Sequence, residues 1–344
     1  MSSFDGSPRR ARCPVSALVV LVALNVGTAS AATLMLHCNA SPSVGYRVLA
    51  LEDGRKVAVW YPAAEPEHSI AYSRSGDAGR VAADSPPLGA CPPVPLVVFS
   101  HEFGGCALQS IFITEELARH GYVVAAPDHR DAGCPIGSDD LKPLRTDKWF
   151  LAPQLWSEES ALDRLQDLRD VIRLVAQDPA LASIVDASNV GAVGHSLGAY
   201  TVIGMAGGWP SWKSPELKAV IALSPFIEPF VARGTLSQLG VPVMYQTAWL
   251  EWDKERLEVE TEAYRLTSPP KYLVELKRVA QLDFEWTNLL CLGQADVAAC
   301  LKDQPNAATI DRYAIAFLDH YLKGKPEAQL DFDGSDLNRY LWVP

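Results

Sequence analysis

The feature that most constrains this chain is a G-x-S-x-G motif, Gly194 to Gly198, set between two segments of different character. Residues 189–194 are small and β-branched, which indicates a buried strand, and residues 199–206 are typical of a helix. A serine in this setting lies at the apex of a sharp strand-to-helix turn, with its hydroxyl exposed above the sheet. The flanking glycines let the strand and the helix pass close together. Ser196 is therefore the candidate nucleophile.

The rest of the chain predicts strands that alternate with helices. A hairpin is predicted around an Asp-Gly turn, with residues 44–51 and 56–60 as its strands. Five later apolar runs predict strands: residues 96–99, 122–126, 219–223, 241–246 and 271–276. Three helices are predicted: residues 111–120, a helix opened by residues 157–159, and a closing helix at residues 309–322. This order predicts an α/β fold with a doubly wound, mostly parallel sheet and helices on both faces.

Two stretches lack an apolar period. Residues 63–93 are rich in Pro, Ser, Gly and Asp and predict a surface loop. Residues 131–156 form an insertion after a predicted strand. This insertion either covers the site or is a plain solvent-exposed loop. Aromatic residues in and after this insertion suggest an apolar pocket, with core packing as the alternative: Trp149, Phe150, Trp156, Trp249, Trp252 and Trp286.

The first residues carry the pattern of a targeting segment. Arginines precede an apolar run at residues 16–26 that is too short to span a bilayer, and an A-x-A cleavage site ends at Ala31. We therefore expect residues 1–31 to be a signal peptide and residues 32–344 to form a single domain of a secreted or periplasmic protein. An uncleaved membrane anchor is the alternative, and no stable membrane insertion is expected after cleavage.

The cysteine content predicts disulfide bonds. Six of the seven cysteines lie outside the predicted signal peptide, and an even number in an oxidising compartment predicts disulfides. Cys106 and Cys134 follow strands predicted to lie side by side, and Cys291 and Cys300 are close in sequence, so these are the expected pairs.

No cysteine or histidine cluster has zinc spacing, so neither a metal nor a cofactor is expected. The net charge of -11, without a long basic run, makes nucleic acid an unexpected partner.

A glycine-rich turn at residues 100–106 follows the strand that ends at Phe99. Acyl transfer needs backbone donors aimed at the developing oxyanion. A turn at this position can direct one N–H toward the reacting carbonyl, and the start of the helix behind Ser196 supplies another. The backbone N–H groups of Phe103 and Leu197 are therefore the predicted oxyanion donors.

Five motifs carry a resemblance to a known family. They are Asp53-Gly54-Arg55 through Trp60-Tyr61-Pro62, His101-Glu102-Phe103-Gly104-Gly105, Pro127-Asp128-His129, Gly194-His195-Ser196-Leu197-Gly198-Ala199-Tyr200, and Phe317-Leu318-Asp319 to Leu322-Lys323-Gly324. In these the chain resembles α/β-hydrolases, and more narrowly the secreted dienelactone-hydrolase-like and platelet-activating-factor-acetylhydrolase-like serine esterases. The resemblance implies a small-molecule ester substrate, with a carboxylate after strand 241–246 and a histidine just after strand 271–276.

The implied acid can be matched to this chain, but the implied base cannot. Glu251 fits the acid best by count and Asp253 is the alternative, with a solvated loop charge as the competing interpretation for either. No histidine follows the strand at residues 271–276, and Gln281 stands where the family histidine is expected, with Asp283 next nearest. Glutamine cannot hold a proton near neutral pH, so it cannot replace imidazole as a general base.

Other side chains near the predicted carboxyl edge of the sheet are candidates for the base. His101 and His129 lie on that rim, although a structural role is favoured for each. Glu102 is close to Ser196 and would act as a weak base if burial raised its pKa, although a turn glutamate is usually solvated. The sequence thus predicts a serine hydrolase that acts on carboxylic esters through an acyl-enzyme and is weakened by the missing histidine. The alternative is a catalytically inactive binding protein of the hydrolase fold.

Overall fold

Eleven β-strands and six α-helices occur in the residues that the computed structural model describes. Those residues are 42–71, 78–89, 93–137, 152–248, 254–277, 305–330, 332, 335 and 337–344. The strands are β1 (Ser43–Ala50), β2 (Lys56–Ala63), β3 (His68–Ala71), β4 (Ala78–Ala83), β5 (Val94–Ser100), β6 (Val123–Pro127), β7 (Val185–His195), β8 (Leu217–Leu223), β9 (Val243–Ala248), β10 (Lys271–Leu276) and β11 (Leu337–Val343). The helices are α1 (Ile111–Arg119), α2 (Leu162–Gln177), α3 (Leu197–Ile203), α4 (Glu228–Arg233), α5 (Lys254–Leu266) and α6 (Pro305–Lys323).

The strands join in one sheet, in the order β11-β10-β9-β8-β7-β5-β6-β2-β1-β4-β3. Strands β5 to β10 run parallel, whereas β2 pairs antiparallel with β6 and β11 pairs antiparallel with β10. From β5 the chain crosses to β6 on one side and returns to β7 on the other. Strands β5 and β7 therefore form a topological switch point, where α/β sheets bind ligands at their carboxyl ends. The predicted doubly wound, mostly parallel sheet is confirmed.

Both faces of the parallel strands are buried because helices cover each side. Along β5, Leu96 and Val98 belong to one hydrophobic cluster and Val97 and Phe99 to the other, as strict alternation in a strand requires. Helices α2, α3, α4 and α5 contribute to the first cluster, and α1 and α6 contribute to the second. This two-sided burial explains why the predicted strands appear in the sequence as continuous apolar runs.

Three sequence predictions about elements need correction. The predicted surface loop at residues 63–93 contains the hairpin β3–β4, which joins the sheet because β4 pairs with β1. The chain does not end its regular structure with α6, since β11 follows it and pairs with β10. Helix α2 begins at Leu162 rather than at residues 157–159, because Ala161 has a left-handed conformation with φ 57° that cannot continue a helix toward the N-terminus.

The helices of the described ranges are all too short or too polar to cross a membrane. The predicted signal peptide lies outside the described residues, as does the expected pair Cys291 and Cys300.

Candidate active site

Ser196 lies at the turn between β7, which ends at His195, and α3, which begins at Leu197. Its backbone has φ 51° and ψ -111°, a conformation that is strained for a residue with a Cβ atom. The Ser196 N–H donates to the Leu223 carbonyl (3.0 Å), and the Ser196 carbonyl accepts from the Phe226 N–H (3.1 Å). The residue is partly exposed. A strained, partly exposed serine held at the carboxyl end of a central strand has the geometry of an attacking nucleophile.

Two glycines allow this turn to form. A Cβ atom on Gly194 would lie 2.3 Å from the carbonyl oxygen of Gly198, and one on Gly198 would lie 1.9 Å from the carbonyl oxygen of Ser100. Both distances are far inside van der Waals contact, and the atoms met belong to backbone that cannot rotate away. The spacing of the G-x-S-x-G motif thus follows from the close approach of β7, α3 and the end of β5.

The start of α3 lies beside the turn that follows β5. Ser100 is opposite Gly194 in the parallel ladder of β5 and β7, so the two strands end at the same level. Leu197 is the first residue of α3, where N–H groups have no partner within the helix and carry the positive end of its dipole. Phe103 is half-buried in the turn after Ser100 and packs against the core. The two predicted oxyanion residues thus follow neighbouring strand ends.

A buried guanidinium holds the turn after β5, residues 101–106, which we call the oxyanion turn. Arg164 of α2 is 1% exposed. Its Nη1 donates to the His101 carbonyl (2.7 Å) and to Ser100 Oγ (3.3 Å), and its Nη2 donates to the Glu102 carbonyl (2.9 Å). Nη2 also donates to both carboxylate oxygens of Asp131, at 3.0 and 2.8 Å. Burial alone would raise the pKa of Asp131, but the charge of Arg164 outweighs it and the pKa lies well below its ordinary value.

The segment after β6 fastens the other end of the oxyanion turn. The Gly133 N–H donates to the carbonyls of Gly104 (3.1 Å) and Gly105 (2.9 Å). Cys106 and Cys134 are joined by a disulfide, with their Cα atoms 5.3 Å apart. The predicted pairing of these two cysteines is confirmed, since β5 and β6 are parallel neighbours as the sequence indicated.

The two rim histidines belong to a buried network below the turn. His129 Nδ1 donates to Asp167 (2.8 Å), and its Nε2 accepts from the Ser100 hydroxyl (2.9 Å). His101 Nε2 accepts from the His129 backbone N–H (3.0 Å), and its Nδ1 donates to the Glu102 carbonyl (2.6 Å). Burial is the main cause that lowers the pKa of both imidazoles, and the charge of Arg164 adds to it.

The hydrogen bonds that link Ser100, His129 and Asp167 have the connectivity of a catalytic triad. Each of these residues is at most 2% exposed, however, and Ser100 is inside the core. Within the described part of the chain, no imidazole is hydrogen-bonded to the Ser196 hydroxyl. The structural roles favoured for His101 and His129 therefore fit their surroundings. His195 is buried behind Ser196, with Gln109 Nε2 3.5 Å from its Nδ1.

The candidate acid and the position of the missing base lie outside the described residues. These are Glu251 and Asp253, which follow the end of β9, and Gln281 and Asp283, which follow the end of β10. Their assignments stay predictions. Both strands run parallel to β7 in the same sheet, so their carboxyl ends share its active edge.

Of the six aromatic residues considered for an apolar pocket, Trp156 lies in the described part. It is 1% exposed and packs edge-on against Tyr200 (ring centroids 4.8 Å apart) and Phe226 (4.6 Å), so it belongs to the core. Phe226 itself is half-buried, and its backbone N–H donates to the Ser196 carbonyl, so it lies directly beside the candidate nucleophile.

Sequence reasoning missed both Phe226 and Arg164. Phe226 follows β8, the spatial neighbour of β7, and this order of strands was the available signal. Arg164 lies on the apolar stripe of α2 with Leu168 and Val171, and a charged residue on such a stripe indicates a buried partner. Among the described residues, no group of three or more His, Cys, Asp or Glu side chains is arranged to hold a metal ion.

The sheet order and the strained serine define a protein of the hydrolase-fold class, and comparisons with known proteins agree. The model of the Alpha/beta hydrolase family matches residues 97–333, well over half of the chain, and the chain belongs to this family. A platelet-activating factor acetylhydrolase from Cavia porcellus is 23% identical over 259 residues, which is 66% of this chain and 57% of that protein. The chain thus spans a little over half the length of that relative.

A solved structure, the ferulic acid esterase from Streptomyces cinnamoneus, superimposes with a TM-score of 0.65 at 20% identity. The superposition covers 89% of this chain and 98% of the esterase. At this level of identity the likeness shows the fold.

Proposed function

We propose that the protein is a serine esterase that cleaves small carboxylic esters through an acyl-enzyme. The observation that carries the proposal is the strained, partly exposed Ser196 between β7 and α3. The Ser196 oxygen attacks the ester carbonyl carbon, the alcohol leaves with a proton, and water then releases the acid from the acylated serine. The N–H groups of Phe103 and Leu197 stabilise the oxyanion of each tetrahedral intermediate.

The similar proteins support an ester as the substrate. One is named an acetylhydrolase and the other a ferulic acid esterase, and both names denote hydrolysis of an ester or acyl group. The half-buried rings of Phe103 and Phe226 follow strand ends on either side of β7, and they would favour an apolar acyl or alcohol group.

The base determines how fast such an enzyme turns over. In our proposal Glu251 would orient a base, but Gln281 occupies the expected histidine position. Removal of the histidine from a serine triad costs about 10⁶-fold in kcat and leaves roughly 10³ to 10⁴-fold over water from the oxyanion hole and binding. We therefore expect a slow esterase.

Hydrolysis of p-nitrophenyl acetate and butyrate by the wild type and by Ser196→Ala tests the proposal. We expect a slow rate from the wild type and a rate near the buffer blank from Ser196→Ala. Equal rates from the two proteins would refute it. Gln281→His is the companion variant, with an expected gain of about 10² to 10⁴-fold because a general base would be restored. In the double variant Gln281→His, Ser196→Ala this gain should vanish.

The absence of histidine at position 281 favours a second candidate, a non-catalytic protein that keeps the hydrolase fold to bind an ester, lipid or partner. A fluorophosphonate probe separates the two candidates, because an unactivated serine does not react at a useful rate. Stoichiometric labelling that is lost in Ser196→Ala would exclude the non-catalytic candidate. Labelling no faster than that of Ser196→Ala, together with equal ester hydrolysis, would favour it.

We further propose that the protein is exported, secreted or periplasmic, after cleavage behind Ala31, and that residues 32–344 fold as one domain with an insertion at residues 131–156. The disulfide between Cys106 and Cys134 supports an oxidising compartment. The single sheet formed by strands from both ends of the described chain supports one domain. Sequencing the N-terminus of the protein recovered from the periplasm or medium tests the cleavage site.

A further inference from the structure

We infer that Arg164 is a positioning residue that aims the Phe103 N–H at the reacting carbonyl. The inference rests on the proposed esterase function and names a residue for it that no motif in the sequence indicated. Its basis is the set of hydrogen bonds that Arg164 makes to consecutive groups of the oxyanion turn.

The peptide group between Glu102 and Phe103 is central to this inference. In a trans peptide the C=O and N–H bonds point in opposite directions, so fixing one fixes the other. Arg164 Nη2 donates to the Glu102 carbonyl at 2.9 Å from the buried side of the turn. The Phe103 N–H of the same peptide group therefore points away from Arg164. The positive charge on the carbonyl side also polarises this peptide and strengthens its N–H as a donor.

A second bond from Arg164 holds the preceding peptide group, between His101 and Glu102, and His101 Nδ1 is a further donor to the Glu102 carbonyl (2.6 Å). Arg164 Nη1 donates to the His101 carbonyl at 2.7 Å, one residue earlier, so the planar guanidinium spans two successive peptide groups. A fork of this kind holds two acceptors in one fixed geometry, which a lysine ammonium does not reproduce. The geometry of the Arg164 guanidinium therefore fits the two carbonyl groups of the turn, and a lysine of similar length would not hold both.

Asp131 completes the arrangement on the far side of Phe103. Its carboxylate neutralises Arg164, as a buried guanidinium requires, and also accepts from the Gly104 N–H at 3.3 Å. The peptide groups before and after Phe103 are therefore both held through the same ion pair. Removal of the guanidinium should leave the fold in place but leave the Glu102 carbonyl with His101 Nδ1 as its remaining donor among the described residues, so the Phe103 peptide should gain freedom to rotate.

Substitution of Arg164 should weaken stabilisation of the transition state more than binding of the substrate. Loss of one oxyanion donor costs about 10² to 10³-fold in kcat, because the donor acts on charge that develops during the reaction. A misdirected donor loses part of that effect. For Arg164→Lys we therefore expect kcat to fall about 10 to 100-fold, with KM changed less than about three-fold.

The experiment compares wild type, Arg164→Lys and the control Arg339→Lys. Arg339 also holds a buried carboxylate, with Nη2 2.6 Å from Glu275, but it lies on β11 at the far edge of the sheet. For each protein we would measure kcat and KM with p-nitrophenyl butyrate, the melting temperature, and hydrogen exchange of the peptide that covers residues 101–106. We expect Arg164→Lys to lose kcat and to exchange faster in that peptide, whereas Arg339→Lys lowers the melting temperature alone.

Unchanged kcat and exchange in Arg164→Lys would overturn the inference, as would an equal fall of kcat in Arg339→Lys. If the wild type hydrolyses no ester beyond Ser196→Ala, the proposed function fails, while hydrogen exchange still decides whether Arg164 orders the turn. Should Arg164→Lys not fold, Asp131→Asn replaces it, because its amide keeps one oxygen for the Gly104 N–H but holds Arg164 less firmly. That variant should lose kcat about 3 to 10-fold with faster exchange at residues 101–106, and no change in either would count against the inference.

Discussion

Gly198 and the Ser100 carbonyl lie so close together that a Cβ atom on residue 198 would come within 1.9 Å of the carbonyl oxygen. The contact joins the first turn of α3, which contains Leu197, to the last residue of β5, and the turn directly after β5 contains Phe103. The strand-to-helix turn at Ser196 and the oxyanion turn are therefore packed against each other, and a change to either should disturb both.

Gly198→Ala should destabilise the protein and abolish its esterase activity. The added methyl group meets backbone, which cannot move aside as a flexible side chain would, so we expect a loss of about 3 kcal/mol in the free energy of unfolding. Gly89→Ala is the matched control, since no atom of the described residues lies within 4 Å of the Cβ position there. It should stay within about 0.5 kcal/mol of the wild type. Urea unfolding followed by circular dichroism measures both, and equal midpoints for the two variants would contradict this prediction.

Replacing both Cys106 and Cys134 with alanine should lower the free energy of unfolding by about 3 to 4 kcal/mol. The two residues are separated by 28 positions, and release of a loop of that length restores entropy to the unfolded chain. Because the disulfide also fastens the end of the oxyanion turn, kcat should fall as well. Wild type treated with dithiothreitol should lose at least as much in both assays, because the reagent also reduces the predicted bond between Cys291 and Cys300. If the double variant is as stable as the oxidised wild type, the disulfide does not contribute to the free energy of unfolding.

The parts of the molecule that sequence predicted well are those governed by local pattern. The parallel strands are buried on both faces, and such burial appears directly as apolar runs like Leu96 to Phe99. The strand-to-helix turn at Ser196 requires a close backbone approach that only glycine permits, so Gly194 and Gly198 appear in the sequence as a motif. The pairing of Cys106 with Cys134 followed from the predicted adjacency of β5 and β6.

The parts that sequence did not predict depend on contacts between distant segments. The hairpin β3–β4 contains weak strand formers such as Gly79 and Ala82, and its pairing depends on the free edge of β1. Arg164 acquires its role only when α2 packs beneath the oxyanion turn, 60 or more residues earlier in the chain, where it bonds His101 and Glu102. The apolar stripe of α2 indicates that Arg164 has a buried partner, but it does not indicate which residues that partner comprises.

Asp311→Asn should stabilise the protein at neutral and alkaline pH. Asp311 of α6 is 9% exposed, and its Oδ1 has no hydrogen-bond partner among the described residues. Burial, and next the charge of Glu116 on α1, raise its pKa well above the ordinary value. The folded state therefore binds the proton more tightly than the unfolded state, and stability is lost as pH rises above 3.8.

Asparagine removes this penalty, so the gain should grow from pH 4 to pH 8 and reach on the order of 1 kcal/mol. Urea unfolding at both pH values measures it. Asp170→Asn on α2, whose side chain is 45% exposed, is the control and should change stability little at either pH. A stabilisation by Asp311→Asn that is the same at both pH values would show that no proton is involved.

His129→Asn should weaken the loss of stability that accompanies acidification. Burial, and next the charge of Arg164, lower the pKa of the His129 imidazole below its ordinary value of 6.5, although Asp167 partly opposes them. In the unfolded chain this histidine takes up a proton as pH falls through 6.5, whereas in the folded protein it does not until lower pH. The unfolded state therefore binds more protons in that window, and the free energy of unfolding falls as pH decreases.

One such proton corresponds to about 1.4 kcal/mol per pH unit, and His101 contributes with the same sign because burial lowers its pKa as well. Urea unfolding of wild type and His129→Asn at pH 7.5, 6.5 and 5.5 measures the slope, which should be shallower in the variant by up to one proton. His120→Asn, at an exposed position after α1, is the matched histidine substitution for comparison. If His129→Asn and His120→Asn show the same slope as the wild type, His129 is not held neutral by its surroundings, and the hydrogen bonds assigned between Ser100, His129 and Asp167 would need a different arrangement of protons.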